Sequence, residues 1–195
     1  MTTNDDTLLH MFPTSIMTVN MTGHPCKARA LEIIDSSSTN DHVLLSNGKS
    51  NFDEYGGLLF QPALEQLKND IQNSVHKFAT ALGIFPIKIA NNWFNIMGPG
   101  GTVRAHRHPG SIISGAYYIR APEGSSSIHF NNPLNPARML ERAQYPNPFN
   151  VTEQYVTCTE DTLVLFPSWL EHGTKVNKTA ERYVISFNTM HKGDY

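Results

Sequence analysis

The chain has 195 residues, of which 39% are hydrophobic and 16% charged, and its formal net charge is −2. This length and composition predict one globular domain, residues 1–195, with a hydrophobic core of its own. The small net charge argues against a broad nucleic-acid or membrane-binding surface, because both need clustered Lys and Arg side chains.

Cysteine usage and the N-terminus indicate the compartment. The two cysteines, Cys26 and Cys158, are too few for a disulfide framework. The first residues lack a basic segment followed by an apolar run, so we expect no signal peptide. No apolar run approaches the roughly 20 residues that a membrane span needs. The sequence therefore predicts a reducing, cytoplasmic setting with no membrane partner.

The N-terminal part of the chain predicts one strand and two helices. The polar residues 1–6 are expected to fray, residues 11–19 have the composition of a strand, and residues 26–34 suit a short helix. The clearest helix spans residues 62–82, where apolar side chains recur at intervals of three and four. The residues of this apolar face are Leu64, Leu67, Ile71, Val75, Phe78 and Leu82. A helix with one apolar face must cover a flat surface.

From residue 87 onwards the chain is rich in β-branched and aromatic residues, punctuated by Gly, Pro and Asn, which is typical of short strands. The predicted strands are residues 87–97, 104–108, 112–120, 127–130, 155–158, 162–166, 173–176 and 182–189. Residues 131–149 lack a strand pattern and contain four prolines, so we expect an insertion loop or lid there. Helices first and strands afterwards predict a mainly β sandwich or barrel with N-terminal helices packed on its outside.

Two histidines with metal-ligand spacing follow a Gly-rich turn. They lie in the segment Gly-Gly-Thr-Val-Arg-Ala-His106-Arg-His108-Pro109. Residues two apart in a strand face the same side, so His106 and His108 project together. Pro109 favours an extended backbone at His108, which maintains this geometry. Two imidazoles on one face form half of a site for Fe, Zn, Cu or Ni, although the pattern also arises as surface decoration.

A third histidine lies where a barrel mouth would place a further ligand. The apolar strand 162–166 ends at Pro167, and His172 opens the next strand. A histidine in such a place is either a core or turn residue or the third ligand of a metal site.

The last predicted strand carries an arginine that we expect inside the barrel. Alternation divides this strand into a bulky apolar face, which would pack against the helix, and a face with Arg182, Ser186 and Asn188. A buried guanidinium needs an anion. The alternatives are a core carboxylate and a bound dicarboxylate, which the planar fork of Arg182 would match bidentately.

Three motifs resemble the core of a known enzyme family. They are His106-Arg-His-Pro-Gly-Ser111, Ser114-Gly-Ala-Tyr-Tyr118 and Phe166-Pro-Ser-Trp-Leu-Glu-His172. They are similar to a small family of iron(II)/2-oxoglutarate-dependent dioxygenases, over roughly residues 92–188. The resemblance implies a double-stranded β-helix, which is a cupin-like jelly roll, with dioxygen and 2-oxoglutarate as cosubstrates and Fe(II) as the metal. It also implies hydroxylation of an unidentified substrate, with release of succinate and CO2.

The resemblance implies that His106, His108 and His172 hold the metal and form the catalytic centre. The usual ligand set of the superfamily is His-x-Asp/Glu…His, and His108 stands at the carboxylate position. The small family carries His there, so we expect three imidazoles. The alternative is that His108 swings away and leaves a coordination position open.

The resemblance also implies where 2-oxoglutarate binds. Arg182 would bind its distal carboxylate, and we expect further contacts from Asn95, Tyr117 and Ser186. For the primary substrate, Trp169 and the loop 131–149 are the candidate contacts.

Two other interpretations stay open. A cupin that binds metal without 2-oxoglutarate matches the spacing, but it lacks the Glu expected shortly after His108 and leaves Arg182 unexplained. A jelly-roll module without enzymatic activity would have vestigial histidines. Open barrels often associate through edge strands, which leaves a homodimer open. The primary substrate is not specified, because pocket-forming side chains lie on loops.

Overall fold

The computed structural model describes residues 11–52, 57–134 and 144–193. The polar N-terminus, residues 1–6, and the middle of the predicted lid, residues 135–143, lie outside the described residues. That residues 1–195 form one domain stays a prediction.

Within the described ranges the chain forms two α-helices and nine β-strands. The helices are α1 (Lys27–Ser36) and α2 (Glu65–Ala81), and 3₁₀ turns at Leu58–Phe60 and Pro62–Leu64 precede α2. The strands are β1 (Met17–Asn20), β2 (Leu45–Ser50), β3 (Ile87–Val103), β4 (Ile113–Arg120), β5 (Ile128–Asn131), β6 (Glu153–Val156), β7 (Thr162–Pro167), β8 (His172–Thr174) and β9 (Arg182–His191). Neither helix is both long and apolar enough to cross a membrane.

The strands form two antiparallel sheets. The larger sheet has the order β1-β7-β4-β9-β3-β2, and the smaller has the order β6-β5-β8. An isolated antiparallel bridge between His106 and His172 joins a further segment to β8. Buried side chains of β4, β7 and β9 pack against those of β5 and form a core between the sheets. The fold is the predicted double-stranded β-helix.

The helices cover the other face of the larger sheet. Leu67 and Ile71 of α2 are fully buried there, in one core with Ile185 and Phe187 of β9. Val184, which precedes Ile185 in the sequence, packs instead into the core between the sheets. The alternation predicted for the last strand is therefore confirmed. Each large apolar side chain buried in this way stabilises the fold by about 1.5–3 kcal/mol.

The edge strand β2 is not predicted by the sequence. Its sequence, Leu-Ser-Asn-Gly-Lys-Ser, is dominated by residues that favour turns. Asn47 has a left-handed backbone with φ 48°, and the pairing of β2 with β3 shifts register between Ser46 and Gly48. The Asn-Gly pair therefore forms a bulge within a strand, whereas the same pair read alone predicts a turn.

The prediction of a continuous strand over residues 104–108, which contain His106 and His108, is wrong. Only His106 forms a bridge, to β8. The backbone N–H of Arg104 donates to the carbonyl of Leu44 at 2.9 Å, and that of His108 donates to the carbonyl of Ser168 at 3.0 Å. Because these partners lie on three different segments, the segment forms no continuous ladder with any of them.

Gly115 of β4 lies in close contact with side chains of the adjacent strands β9 and β7. A Cβ at this position would lie 2.2 Å from Cζ of Phe187 and 2.9 Å from Cδ2 of Leu165. We expect Gly115→Ala to lower the free energy of unfolding by about 1–3 kcal/mol, because an overpacked core forces its side chains to shift. Urea denaturation measures the loss. Gly98→Ala is the matched control, since a Cβ there meets nothing closer than a carbonyl oxygen at 3.6 Å. Equal losses in the two variants would contradict the packing account.

Candidate metal centre

Three histidines from distant parts of the chain converge in the cavity between the sheets. One ring nitrogen from each of His106, His108 and His172 lies within 4.8 Å of the other two. The ring centroids are 4.4 to 5.1 Å apart, and all three residues line the same cavity. The geometry therefore brings together the three residues that the spacing singled out.

Main-chain hydrogen bonds join the two segments that carry the histidines. The N–H of His106 donates to the carbonyl of His172 at 2.9 Å, and the N–H of His172 donates back at 3.0 Å. The N–H of His108 donates to the carbonyl of Ser168, in the turn after Pro167. These hydrogen bonds fix the relative position of the two backbone segments that carry the histidines.

A buried polar network holds this turn against the larger sheet. The hydroxyl of Ser114 lies 2.8 Å from that of Ser168 and donates to Oδ1 of Asn188 at 2.7 Å. All three side chains are buried. The sequence placed Asn188 on the inward face, but it offered no signal for this network, because its members lie 54 and 74 positions apart.

Backbone carbonyls orient two of the three imidazoles. Nδ1 of His106 lies 2.8 Å from the carbonyl oxygen of Arg104, and Nδ1 of His172 lies 2.9 Å from that of Leu170. A carbonyl oxygen only accepts hydrogen bonds, so Nδ1 carries the proton in both rings. The lone pair is then on Nε2, which is the usual arrangement in a metal-ligating histidine.

Burial favours the neutral form of all three imidazoles. Burial lowers the pKa of His106. Burial, followed by the charge of the nearby His106, lowers the pKa of His108 to about 4 and the pKa of His172 to about 3. Metal binding needs neutral imidazole. The site therefore presents three available lone pairs at neutral pH.

The carboxylate nearest in sequence to His172 does not join the cluster. Glu171 accepts a hydrogen bond from the amide of Asn131 and lies 3.7 Å from the guanidinium of Arg107. In the described part of the chain, the group that could hold a metal here consists of histidines alone. This agrees with the expectation that Glu171 points elsewhere.

Arg182 lies in the same cavity as the histidines. Its side chain is 2% exposed, its Nε donates to the carbonyl of Ser126 at 3.1 Å, and its guanidinium carbon lies 4.8 Å from the ring centroid of Tyr118. Among the residues that the structure describes, no carboxylate lies within 4.0 Å of this guanidinium. A buried cation without a carboxylate partner favours the binding of an anion.

Asn95 and Ser186, two of the predicted contacts of the cosubstrate, also line this cavity. Asn95 lies opposite Val184 in the pairing of β3 with β9, and Ser186 lies opposite Trp93. The buried Oδ1 of Asn95 has no hydrogen-bond partner. An unpaired buried polar atom is costly, so the amide of Asn95 is a group that a ligand would satisfy.

The structure corrects the prediction for Tyr117. Its side chain lies in the core beneath the helices, and its hydroxyl donates to Asp161 at 3.2 Å. The neighbouring Tyr118 lines the cavity instead. Burial, the largest cause, places the pKa of Tyr118 well above its usual range, so the phenol is a neutral hydrogen-bond donor. Alternation identified the two faces of β4, but adjacent tyrosines did not indicate which face was inward.

Trp169 does not line the metal cavity. It is 54% exposed and lies in a separate cavity of about 280 Å³ with Arg107, Glu171 and residues 131–133. Arg107 and Glu171 lie beside the ligands in the sequence, but they line this second cavity. The predicted contact between Trp169 and the primary substrate stays a prediction.

A model of one protein family matches half of the chain. The family is described as "Putative 2OG-Fe(II) oxygenase", and the match covers residues 91–188. This range includes the three histidines and Arg182. No curated protein matches the sequence.

Solved structures share the fold at low sequence identity. HygX from Streptomyces hygroscopicus with nickel and 2-oxoglutarate bound has a TM-score of 0.63 and 11% identity, over 92% of this chain and 84% of that chain. A Pseudomonas putida prolyl-4-hydroxylase has a TM-score of 0.63 and 15% identity, over 92% and 94%. A prolyl hydroxylase from Trichoplax adhaerens, in complex with a peptide fragment of hypoxia inducible factor, has a TM-score of 0.62 and 16% identity, over 91% and 84%. These likenesses support the double-stranded β-helix.

Proposed function

The chain belongs to the 2OG-Fe(II) oxygenase family, and we propose that His106, His108 and His172 hold its iron and that Arg182 anchors its 2-oxoglutarate. It is therefore a non-haem oxygenase that uses Fe(II) and 2-oxoglutarate. The observation that carries the assignment of residues is the convergence of three neutral imidazoles and a buried guanidinium in one cavity.

The histidines fit an iron ion through the chemistry of their donors. Imidazole nitrogen suits Fe(II), and three histidines are an accepted ligand set for a catalytic metal. In His106 and His172 the hydrogen bond from Nδ1 to a backbone carbonyl leaves Nε2 for the metal. His106, His108 and His172 would hold the iron, and the same cavity would hold 2-oxoglutarate.

The same cavity also fits a carboxylate. Among the described residues that line the cavity, Arg182 is the one with a permanent charge. The planar set of donors on its guanidinium matches a carboxylate bidentately. Tyr118 offers a neutral hydroxyl beside it. The amide of Asn95 can turn by 180°, which exchanges Oδ1 and Nδ2 and presents a donor to an anion. The hydroxyl of Ser186 is a further donor on the same face.

Fe(II) with 2-oxoglutarate and dioxygen supplies the oxidation of a substrate C–H bond, with release of succinate and CO2. The residues of this chain bind and orient the reactants. Arg182 would neutralise the distal carboxylate and set the direction of the cosubstrate along the cavity. The buried side chains of Phe166 and Val184 line the cavity and exclude water from it. Hydroxylation is the outcome that we propose for the primary substrate.

The proposal is tested without the primary substrate. Under anaerobic conditions we expect Fe(II) and 2-oxoglutarate to give the protein a visible charge-transfer band, and in air we expect succinate to form. His172→Ala should lose both signals, because it removes a buried ligand. His191→Ala is the matched control, since His191 is exposed at the end of β9. An unchanged band in His172→Ala would contradict the assignment of the metal site.

The family match favours the oxygenase over a cupin that does not use 2-oxoglutarate. The cupin interpretation also leaves Arg182 without a role. Dioxygen as the second cosubstrate, a homodimer and a cytoplasmic location stay predictions.

A further inference from the structure

We infer that the group oxidised by this enzyme is an uncharged, apolar part of its substrate, either aliphatic or aromatic. It would lie against an apolar wall of the metal cavity, formed by Leu44, Leu45, Trp93 and Val103. The inference rests on the proposed function, because it takes the three histidines as the metal site and Arg182 as the anchor of 2-oxoglutarate.

The charged and ligating groups of the cavity are already assigned. Among the described lining residues, Arg182 is the one with a permanent charge, and it faces the distal carboxylate of the cosubstrate in our proposal. The hydroxyl of Thr174 accepts a hydrogen bond from the N–H of Val103 at 2.9 Å. Nδ1 of His42 accepts one from the N–H of Leu44 at 3.3 Å. No lining carboxylate or second guanidinium is described that could pair with a charged substrate group, and burying such a group unpaired is costly.

The apolar wall lies beside the proposed metal ligands. Trp93 is 6% exposed, and its ring centroid lies 6.1 Å from that of His108. Leu45 and Val103 are direct partners in the pairing of β2 with β3, so their side chains form one continuous surface. A substrate group that reaches the metal past His108 therefore contacts hydrocarbon.

A series of ring contacts supports Trp93 from behind this wall. The ring of Phe52 stands edge-on to Trp93, with centroids 5.0 Å apart and an interplanar angle of 89°. His42 stands edge-on to Phe52 at 4.5 Å and 78°. Edge-to-face pairs of this kind hold aromatic side chains in fixed orientations. Phe52 is 43% exposed, so the series runs from the surface to His108.

The charged residues that flank the ligands in the sequence face another cavity. Arg107 and Glu171 lie 3.7 Å apart and line that cavity with Trp169. They can meet polar parts of a substrate outside the metal cavity, but they do not offer a charge to the group at the metal. The reacting group therefore meets an apolar surface.

The test uses three probes of one shape that differ in charge: benzyl alcohol, benzylammonium and benzoate. They are added to protein loaded with Zn(II) and 2-oxoglutarate, and binding is measured by saturation-transfer NMR. We expect benzyl alcohol to bind at least about tenfold more tightly than either ion, because no carboxylate or second guanidinium is described among the lining residues to pair with a charge. Leu44→Glu should weaken benzyl alcohol by a similar factor and favour benzylammonium. Val43→Glu is the matched control, since Val43 is 82% exposed and does not line the cavity.

Each outcome separates this inference from the proposed function. Binding of a charged probe as tight as that of benzyl alcohol, absence of benzyl alcohol binding, or unchanged binding in Leu44→Glu would overturn the apolar wall as a substrate site. The thermal stabilisation of each variant by 2-oxoglutarate is measured in parallel. If this stabilisation is absent from the wild-type protein, the proposed function fails instead. If Leu44→Glu retains the stabilisation by 2-oxoglutarate, that variant is folded and its probe-binding data test the apolar wall.

Discussion

Arg182→Met should abolish the thermal stabilisation that 2-oxoglutarate gives the metal-loaded protein, while the ligand-free variant still folds. Arg182 is 2% exposed, and no carboxylate pairs with it among the described residues. Removing a buried, unpaired charge offsets the loss of the hydrogen bond from Arg182 to the carbonyl of Ser126. Losing the partner of a buried carboxylate costs about 2–5 kcal/mol of binding, which raises the Kd roughly 30-fold to 5000-fold.

Differential scanning fluorimetry with a titration of 2-oxoglutarate measures this loss. Arg120→Met is the matched control. Arg120 pairs with Glu181 at 3.0 Å and lies over the ring of Tyr183, which belongs to the core on the helix side of the larger sheet. The control variant should keep the full shift in Tm caused by 2-oxoglutarate. A full shift in Arg182→Met would instead remove Arg182 from the cosubstrate site.

The metal site was predictable because its residues carry local signals. His106 and His108 are separated by one residue, and His172 follows an apolar strand and a proline turn. The inward position of Arg182 followed from the period of two in β9, whose other face is bulky and apolar. In each case the chemistry and the periodicity of a short segment indicate the same face.

The remaining features depend on contacts between distant segments. Tyr117 and Tyr118 are both aromatic and both buried, so β4 has no polar face to mark the exterior. Gly115 determines which tyrosine of β4 lines the metal cavity. It shares the face of Tyr117 and leaves room for the ring of Phe187 of β9, so this face packs towards the helices. β2 was missed for a related reason: it is a strand only because β3 continues far enough to pair with it. Neither fact is visible in a single segment.

His108→Ala should weaken the binding of Fe(II) by more than about 100-fold, beyond the 10–100-fold typical of losing a group that is hydrogen-bonded to a ligand. The reason is that His108 supplies one of the three proposed donors, with its ring 4.8 Å from that of His106 and 5.1 Å from that of His172. Competition with a chromogenic chelator measures the affinity. If His108 swings away from the iron, the alanine variant should instead bind Fe(II) as tightly as the wild-type protein.

His108→Asp should keep Fe(II) and 2-oxoglutarate bound, because aspartate supplies the carboxylate of the usual 2-His-1-carboxylate set. The position tolerates this exchange better than the other two. Backbone carbonyls hold the rings of His106 and His172, whereas no described group forms a side-chain hydrogen bond with His108. The same substitution at His106 should therefore lose the metal, since an aspartate cannot repeat the bond from Nδ1 to Arg104. Equal loss of the 2-oxoglutarate charge-transfer band in both aspartate variants would show that the fold requires imidazole at His108 itself.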